Sequence, residues 1–373
     1  MHVLIAPQEF KGSLSAEEAA DAIARGIREA RPAWRLDVLP FSDGGPGFVD
    51  AMRRATRTDT VGIVTHDALG RRSLGRYVVA RDDGAAFIEA AQANGLVHIP
   101  PAERDPLAAG TFGVGELIAA AFAGKPPRIV VGVGGSASTD GGAGMARALG
   151  ARLLDANGAE LPPGGGPLAD LDRIEWKAPP ALDGVEVIVA TDVTSPLLGP
   201  GGAAAVFAPQ KGATPVQVVL LERALERYAL VVEQDLGVRI GSLPGGGAAG
   251  GLAAGLVAFL GARVTSGFDV VAAATGLPGR LAAADVIVTG EGSFDSQSLQ
   301  GKTTGRLIDL CRVAGKPCVI LAGRGEGALT LSSLEPDPRI SMERAAGLLS
   351  DLASRWARGF PTPLAPGEGC GLA

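Results

Sequence analysis

Short apolar runs recur along this chain. Each is closed by Gly, Ser, Thr or Asp and followed by a longer stretch whose apolar residues return at helical intervals. That rhythm predicts parallel strands linked by helices, an α/β fold. The clearest runs lie at residues 3–6, 35–39, 129–133, 185–190, 285–289 and 318–322. Ligands of open α/β sheets sit beyond the carboxyl ends of the strands, so the polar loops after these runs are where chemistry belongs. Helix starts are marked too: Ser15 stands three residues before Glu18, a capping-box spacing, and the run to Ala30 keeps helical intervals. Between residues 60 and 89 the texture changes to strands joined by turns at 68–71 and 82–84, which predicts an antiparallel meander. The change divides the chain into a discontinuous parallel-sheet domain, 1–59 plus 265–373, and an inserted α/β domain with a mixed sheet, 60–264.

Composition narrows the picture. A length of 373 residues suits two domains of about 100–200 residues each. Hydrophobic residues make up 46% and aromatic ones only 4%, so the core is built from Ala, Val, Leu and Ile, as where helices cover parallel strands. The 55 glycines are roughly twice the usual share of about 7%, which points to many turns and close backbone approaches. A formal net charge of −6 supplies no cationic footprint for nucleic acid or an anionic membrane, which leaves a small molecule as the expected partner and homo-oligomerisation open. Cys311, Cys318 and Cys370 form no CxxC pair and give neither a disulfide framework nor a zinc site. The N-terminus lacks the features of a signal peptide, and the expected location is the cytoplasm. Residues 245–262 carry no charge, but seven of them are Gly, which predicts a glycine loop entering a buried helix and not a membrane span.

The segment 128–150 reads as a strand, a glycine-rich turn and a helix. Glycines at Gly134, Gly135 and Gly141 let backbone amides approach an anion, and Ser136, Ser138 and Asp140 are suited to bind phosphate, cap a helix or hold a metal. Its plain alternative is a turn that only closes a strand–helix junction. Gly132, Gly134 and Ala137, with Asp155 ending the next strand, satisfy much of the dinucleotide fingerprint, so an NAD(P)-dependent oxidoreductase is a second reading. Gly301-Lys302-Thr303 has the ending of a Walker loop, but the glycine required five positions before Gly301 is Ser296. Four more strand-end loops carry acids or a lysine: Lys11 at a helix entrance, Asp43-Gly44-Gly45, Thr191-Asp192-Val193-Thr194, and Thr289-Gly290-Glu291-Gly292 with Asp295. Lys11 can neutralise a phosphate or carboxylate, and aspartates so placed can take a hydroxyl proton or bind Mg²⁺; either type can also be a plain surface lysine or helix cap. His2, His66 and His98 are scattered without metal spacing, and no GxSxG elbow exists.

Taken in order, these segments resemble the bacterial glycerate kinase family. The matching blocks are Ala6-Pro7 with residues 10–15, Asp43-Gly44-Gly45, Glu89-Ala90-Ala91 with Asn94-Gly95-Leu96, residues 113–117, Gly134-Gly135-Ser136-Ala137 with residues 140–145, and Asp192-Val193-Thr194 with residues 196–199. They continue with residues 209–213, residues 244–251, residues 289–292, and Asp295 with Gly301-Lys302. The resemblance implies two α/β domains, the discontinuous one a Rossmann- or flavodoxin-like parallel sheet. It implies a kinase that converts ATP and glycerate to ADP and phosphoglycerate, typically the 2-phosphate, with Mg²⁺ carried on the nucleotide. For such a reaction the strand-end positions make Lys11, Asp43, Asp192 and Asp295 the expected catalytic residues, with Asp192 as base or substrate anchor and Asp43 and Asp295 as supporting or Mg²⁺-directing groups. The 134–141 loop is then the ATP phosphate site, and Ser13, Lys211 and Glu291 are substrate contacts. Gln8-Glu9 and Pro46-Gly47-Phe48 depart from the family pattern, which motivates a third reading, a catalytically silent nucleotide-binding homologue.

Overall fold

The computed structural model describes residues 1–295, 298 and 303–360, so Gly301, Lys302 and Cys370 lie outside the described residues. The chain divides into two compact units, one of Met1–Pro40 with the described residues from Gly279 onward, the other of Phe41–Pro278.

The discontinuous unit is built on a five-stranded sheet in the order Leu329–Thr330, Cys318–Gly325, Val286–Phe294, His2–Ile5, Arg35–Val38, parallel throughout. Numbered along the chain this order is 5-4-3-1-2, the flavodoxin-like arrangement, whose switch point falls between the first and third strands. Val3, Ile5, Val286, Val288 and Leu321 bury one face against helices Ala16–Ala30 and Ala345–Gly359. The first of these helices starts where the sequence places it. Ser15 Oγ accepts from the Glu18 amide at 3.2 Å and the Glu18 carboxylate accepts from the Ser15 amide at 2.8 Å, satisfying two amides that the helix cannot. Gly26 lets this helix lie directly on the backbone of Ser350.

In the contiguous unit six strands run in the order Arg263–Thr265, Glu186–Ala190, Arg128–Gly132, Ala86–Glu89, Arg72–Ala80, Thr58–His66. The first four are parallel, and the last two complete the antiparallel meander expected from residues 60–89. Ile88, Ile129, Val131, Val187 and Val189 point into a large core shared with helices Phe112–Ala123, Pro215–Leu236 and Leu252–Leu260. Helices Phe48–Ala55 and Gly267–Thr275 pack on the other side of the sheet. The charge-free glycine stretch does lead into the buried helix Leu252–Leu260, and no helix among the described residues is long and apolar enough to cross a membrane.

Candidate functional site

In the contiguous unit the strand-end loops pack backbone to backbone, which only glycine allows. Gly44 has φ +93° and lies against the Ala190 carbonyl, the Gly134 amide donates to the Gly44 carbonyl at 3.0 Å, and neither Gly134 nor Gly132 has room for a side chain against this loop. Asp43-Gly44-Gly45 is thus held between the ends of the Arg128–Gly132 and Glu186–Ala190 strands. The Asp43 carboxylate accepts from the Gly45 amide at 3.2 Å. Asp192 joins it at one helix start: its two oxygens accept from Ser266 Oγ at 2.7 Å and the Phe268 amide at 3.2 Å, while Gly267 between them rests on the Asp43 backbone. The Asp192 carboxylate therefore sits at the N-terminus of Gly267–Thr275, where the helix dipole favours its negative charge, and the backbone of Asp43, far off in sequence, packs on the same turn.

Sequence reasoning assigned no role to that helix start, although Ser266 with Asp269 three residues on has N-cap spacing, and Ser266 Oγ does accept from the Asp269 amide at 3.2 Å. It also gave none to Glu89. This carboxylate ends the Ala86–Glu89 strand only 4% exposed and accepts from the Val49 amide at 3.2 Å. It thereby serves the start of helix Phe48–Ala55, whose own N-cap, Gly47, offers no side chain. Burial pushes the Glu89 carboxyl up to about 7; Asp50 adds to the rise, and the Val49 amide, Gln92 and Arg76 oppose it.

The glycine-rich segment after the Arg128–Gly132 strand is organised from inside by Asp140. Fully buried, its carboxylate accepts from the Thr111 amide and hydroxyl, both at 2.8 Å, and from the amides of Gly142 and Gly144 at 3.1 and 3.0 Å. The amides at the start of the short helix Ala143–Ala148 are thus occupied by a side chain of the protein itself. Gly141 packs on the Tyr228 ring, and Gly135 is the exposed crest, with φ +73° and the Pro46 ring close beneath it. Ser136 and Ser138 lie under the crest, 5% and 0% exposed.

Lys211, expected as a substrate contact, is an interior residue, 2% exposed. Its ammonium donates to Ser136 Oγ at 3.0 Å and to the Ser138 carbonyl, while Asn94 Nδ2 donates to Ser138 Oγ at 2.9 Å. Burial pulls the Lys211 amine down to about 7 against the attraction of Asp140. The residue type gave no warning, because lysine is among the side chains least often buried.

Asp155 sits apart from all of this. The strand before it, Arg152–Leu154, pairs antiparallel with Arg173–Glu175 in a separate two-stranded sheet, and the Asp155 side chain accepts from the amides of Asn157 and Ala159 at 2.9 Å. Those turn amides, Ala159 foremost, hold its carboxyl below the usual range. A dinucleotide site needs this acid on the parallel strand beside the glycine turn, so the oxidoreductase reading loses its ribose anchor.

In the discontinuous unit the loops after the first and third strands meet at the switch point. The Gln8 amide donates to the Gly290 carbonyl at 2.8 Å, Thr289 Oγ1 donates to the Ala6 carbonyl at 2.8 Å, and Gly292 lies against the Phe10–Lys11 backbone. Lys11 is exposed and Ser13 Oγ donates to the Phe10 carbonyl at 2.9 Å. Glu291 is half-buried beside them, and exposed Asp295 accepts from the Ser298 amide at 3.1 Å. This unit therefore brings Lys11, Ser13 and Glu291 to one sheet edge, where ligands of this strand order bind.

A family model described as glycerate kinase family matches residues 3–345. Glycerate 2-kinase of Escherichia coli K12 is 42% identical over 324 residues, which span 87% of this chain and 85% of that protein. Glycerate kinase of Bacillus subtilis 168 is 41% identical over 324 residues, again 87% of this chain and 85% of that protein. Among solved structures, a glycerate kinase 2 candidate from Salmonella typhimurium LT2 superposes with a TM-score of 0.80 at 41% identity, covering 96% of this chain and 97% of that one.

Proposed function

Because the chain belongs to the glycerate kinase family, we propose that it transfers the γ-phosphoryl group of ATP to the 2-hydroxyl of glycerate, giving 2-phosphoglycerate and ADP in the cytoplasm. What supports this reading above all is the packing of Asp43–Gly45, Gly134–Asp140 and Asp192, remote in sequence, into one group of loops at the carboxyl edge of one sheet.

Phosphoryl transfer asks for positioning and charge stabilisation more than for covalent chemistry. In our reading the crest of the glycine loop at Gly134, Gly135 and Ser136 receives ATP phosphates, with Ser138, Asp140 and Gly141 shaping it from below. Asp192 accepts the hydroxyl proton as the phosphoryl group arrives, and Ser266 and the Phe268 amide hold it in place. Lys11 neutralises phosphoryl oxygens or the glycerate carboxylate, and Ser13 and Glu291 contact the substrate. Among the described residues no group of three or more His, Cys, Asp or Glu is arranged to hold a metal, so the donor set does not suit a metal cage made by the protein alone. It does suit Mg²⁺ carried on nucleotide phosphates, which takes only one or two carboxylates; Asp43 of the contiguous unit or Asp295 of the discontinuous one would meet it. Bound there, the ion would neutralise charge on the transferring phosphoryl group.

The test is incubation of the purified protein with ATP, Mg²⁺ and glycerate, followed by ³¹P NMR of the products. ADP and 2-phosphoglycerate are expected. ATP binding with no glycerate-dependent ADP would instead favour the silent homologue, and a 3-phosphate product would overturn the choice of hydroxyl. Asp192→Asn separates base from scaffold. An Asn can keep both contacts, its oxygen accepting from Phe268 and its NH₂ donating to the Ser266 hydroxyl, so stability should hold. Turnover should fall by about 10² to 10⁴; activity within a few-fold of wild type would remove Asp192 as the base.

A further inference from the structure

Burial strips the Lys211 ammonium of water, a penalty that a methionine of similar length would not carry. The surroundings are built to hold it. A side chain at Gly250 would come within 2.9 Å of the Lys211 Nζ, and the turn that brings Gly250 there forces Ala249 to φ +55°, a left-handed conformation that only glycine adopts freely. The Gly250 carbonyl in turn accepts from the Gly141 amide at 3.0 Å, locking this turn to the glycine loop.

The consequence lies in the direction of the hydrogen bonds. A serine hydroxyl has one hydrogen to give and lone pairs to receive. An ammonium can only donate, so at the Lys211 contact Ser136 Oγ must act as acceptor, and its own O–H is left to donate elsewhere. Among the described residues, neighbouring Asn94 does not impose that polarity, because it donates to Ser138 Oγ and not to Ser136. We propose that Lys211 is a positioning residue that fixes Ser136 as a hydrogen-bond donor to an ionised phosphate oxygen of ATP, an atom that can only accept. Lys211 does this without touching the nucleotide.

The same logic gives the arrangement a pH dependence. Once deprotonated, the amine gains a lone pair and can accept from Ser136, so the hydroxyl can turn inward and its donor is lost to the ligand. The charged or titratable groups around Lys211 are Asp140, which favours the cation, the Tyr228 phenol packed against Gly141, and Arg104, which donates to the neighbouring Gln210 carbonyl at 3.4 Å.

This inference rests on the glycine loop being the ATP site. The experiment measures MgATP affinity calorimetrically for wild type, Lys211→Met, Ser136→Ala and the double variant, at pH 6.5 and 9. Each single variant should bind roughly 10- to 100-fold more weakly at pH 6.5, the worth of one hydrogen bond to a charged group, and the double variant no more weakly than either. Wild-type affinity should fall toward pH 9, and that of Ser136→Ala should change little, which also corrects for titration of the nucleotide. Additive losses, or equal pH slopes in wild type and Ser136→Ala, would overturn the proposal, and the second comparison needs no lysine variant to fold. Absence of MgATP binding by the wild type would overturn the kinase reading itself, and this inference with it.

Discussion

Glu89 illustrates how a residue's burial writes itself into stability. Its carboxyl titrates near 7 in the folded protein against 4.5 as an isolated side chain. Between those values the folded state holds a proton that the unfolded state has lost, so the contribution is fully present below about pH 4.5 and disappears as pH rises through 7. At about 1.4 kcal/mol per unit the effect is on the order of 3 kcal/mol. Glu89→Gln keeps an acceptor for the Val49 amide and removes the ionisation. The variant should therefore be more stable than wild type at pH 8 and nearly equal to it at pH 4.5, as read by urea unfolding at both values. A wild-type excess at pH 8 would show that the charged form is the one the fold uses. Such effects are illegible in sequence, where Glu89 is one acid among 40 acidic residues. Lys211 is the same case with the opposite charge. The aspartates Asp43 and Asp192 were legible because they follow apolar runs, yet their packing around the Ser266 helix start depends on a strand order that no local pattern encodes.

Elements were read more faithfully than residues. The strand cores at residues 3–6, 35–39, 129–133, 185–190, 285–289 and 318–322 all overlap observed strands, because parallel strands covered on both faces must be near-continuous apolar runs. The meander stood out for the opposite reason: an alternating stretch with close-set turns returns antiparallel without a crossover helix between its strands. Helix Ala16–Ala30 allows two of its determinants to be compared. Ser15→Ala removes a cap and should cost about 1 kcal/mol. Gly26→Ala drives a methyl group into the Ser350 backbone and should cost about 1–3 kcal/mol through forced separation of two packed helices. Chemical denaturation of the two variants should rank them in that order. The reverse ranking would mean that the helix pair yields more readily than its glycine contact implies.

At the scale of the whole molecule each unit carries a hydrophobic core of its own, one centred on Val3, Ile23 and Val288 and the other on Ile88, Val131 and Leu225. The larger belongs to residues that are continuous in sequence, so a fragment of residues 41–278 should unfold cooperatively by itself in a thermal scan. A broad, non-cooperative melt would show that this core depends on the rest of the chain. The smaller core has no such independence during synthesis. Its His2–Ile5 strand is central in the sheet and needs a partner whose first contact, between His2 and Asp285, lies 283 residues downstream. At about 5–20 residues per second the ribosome takes roughly 15–60 s to deliver it. For that interval Val3, Leu4 and Ile5 have emerged without their second neighbour, while the intervening unit can already close around its own core. The oldest part of the polypeptide is thus the last to become native.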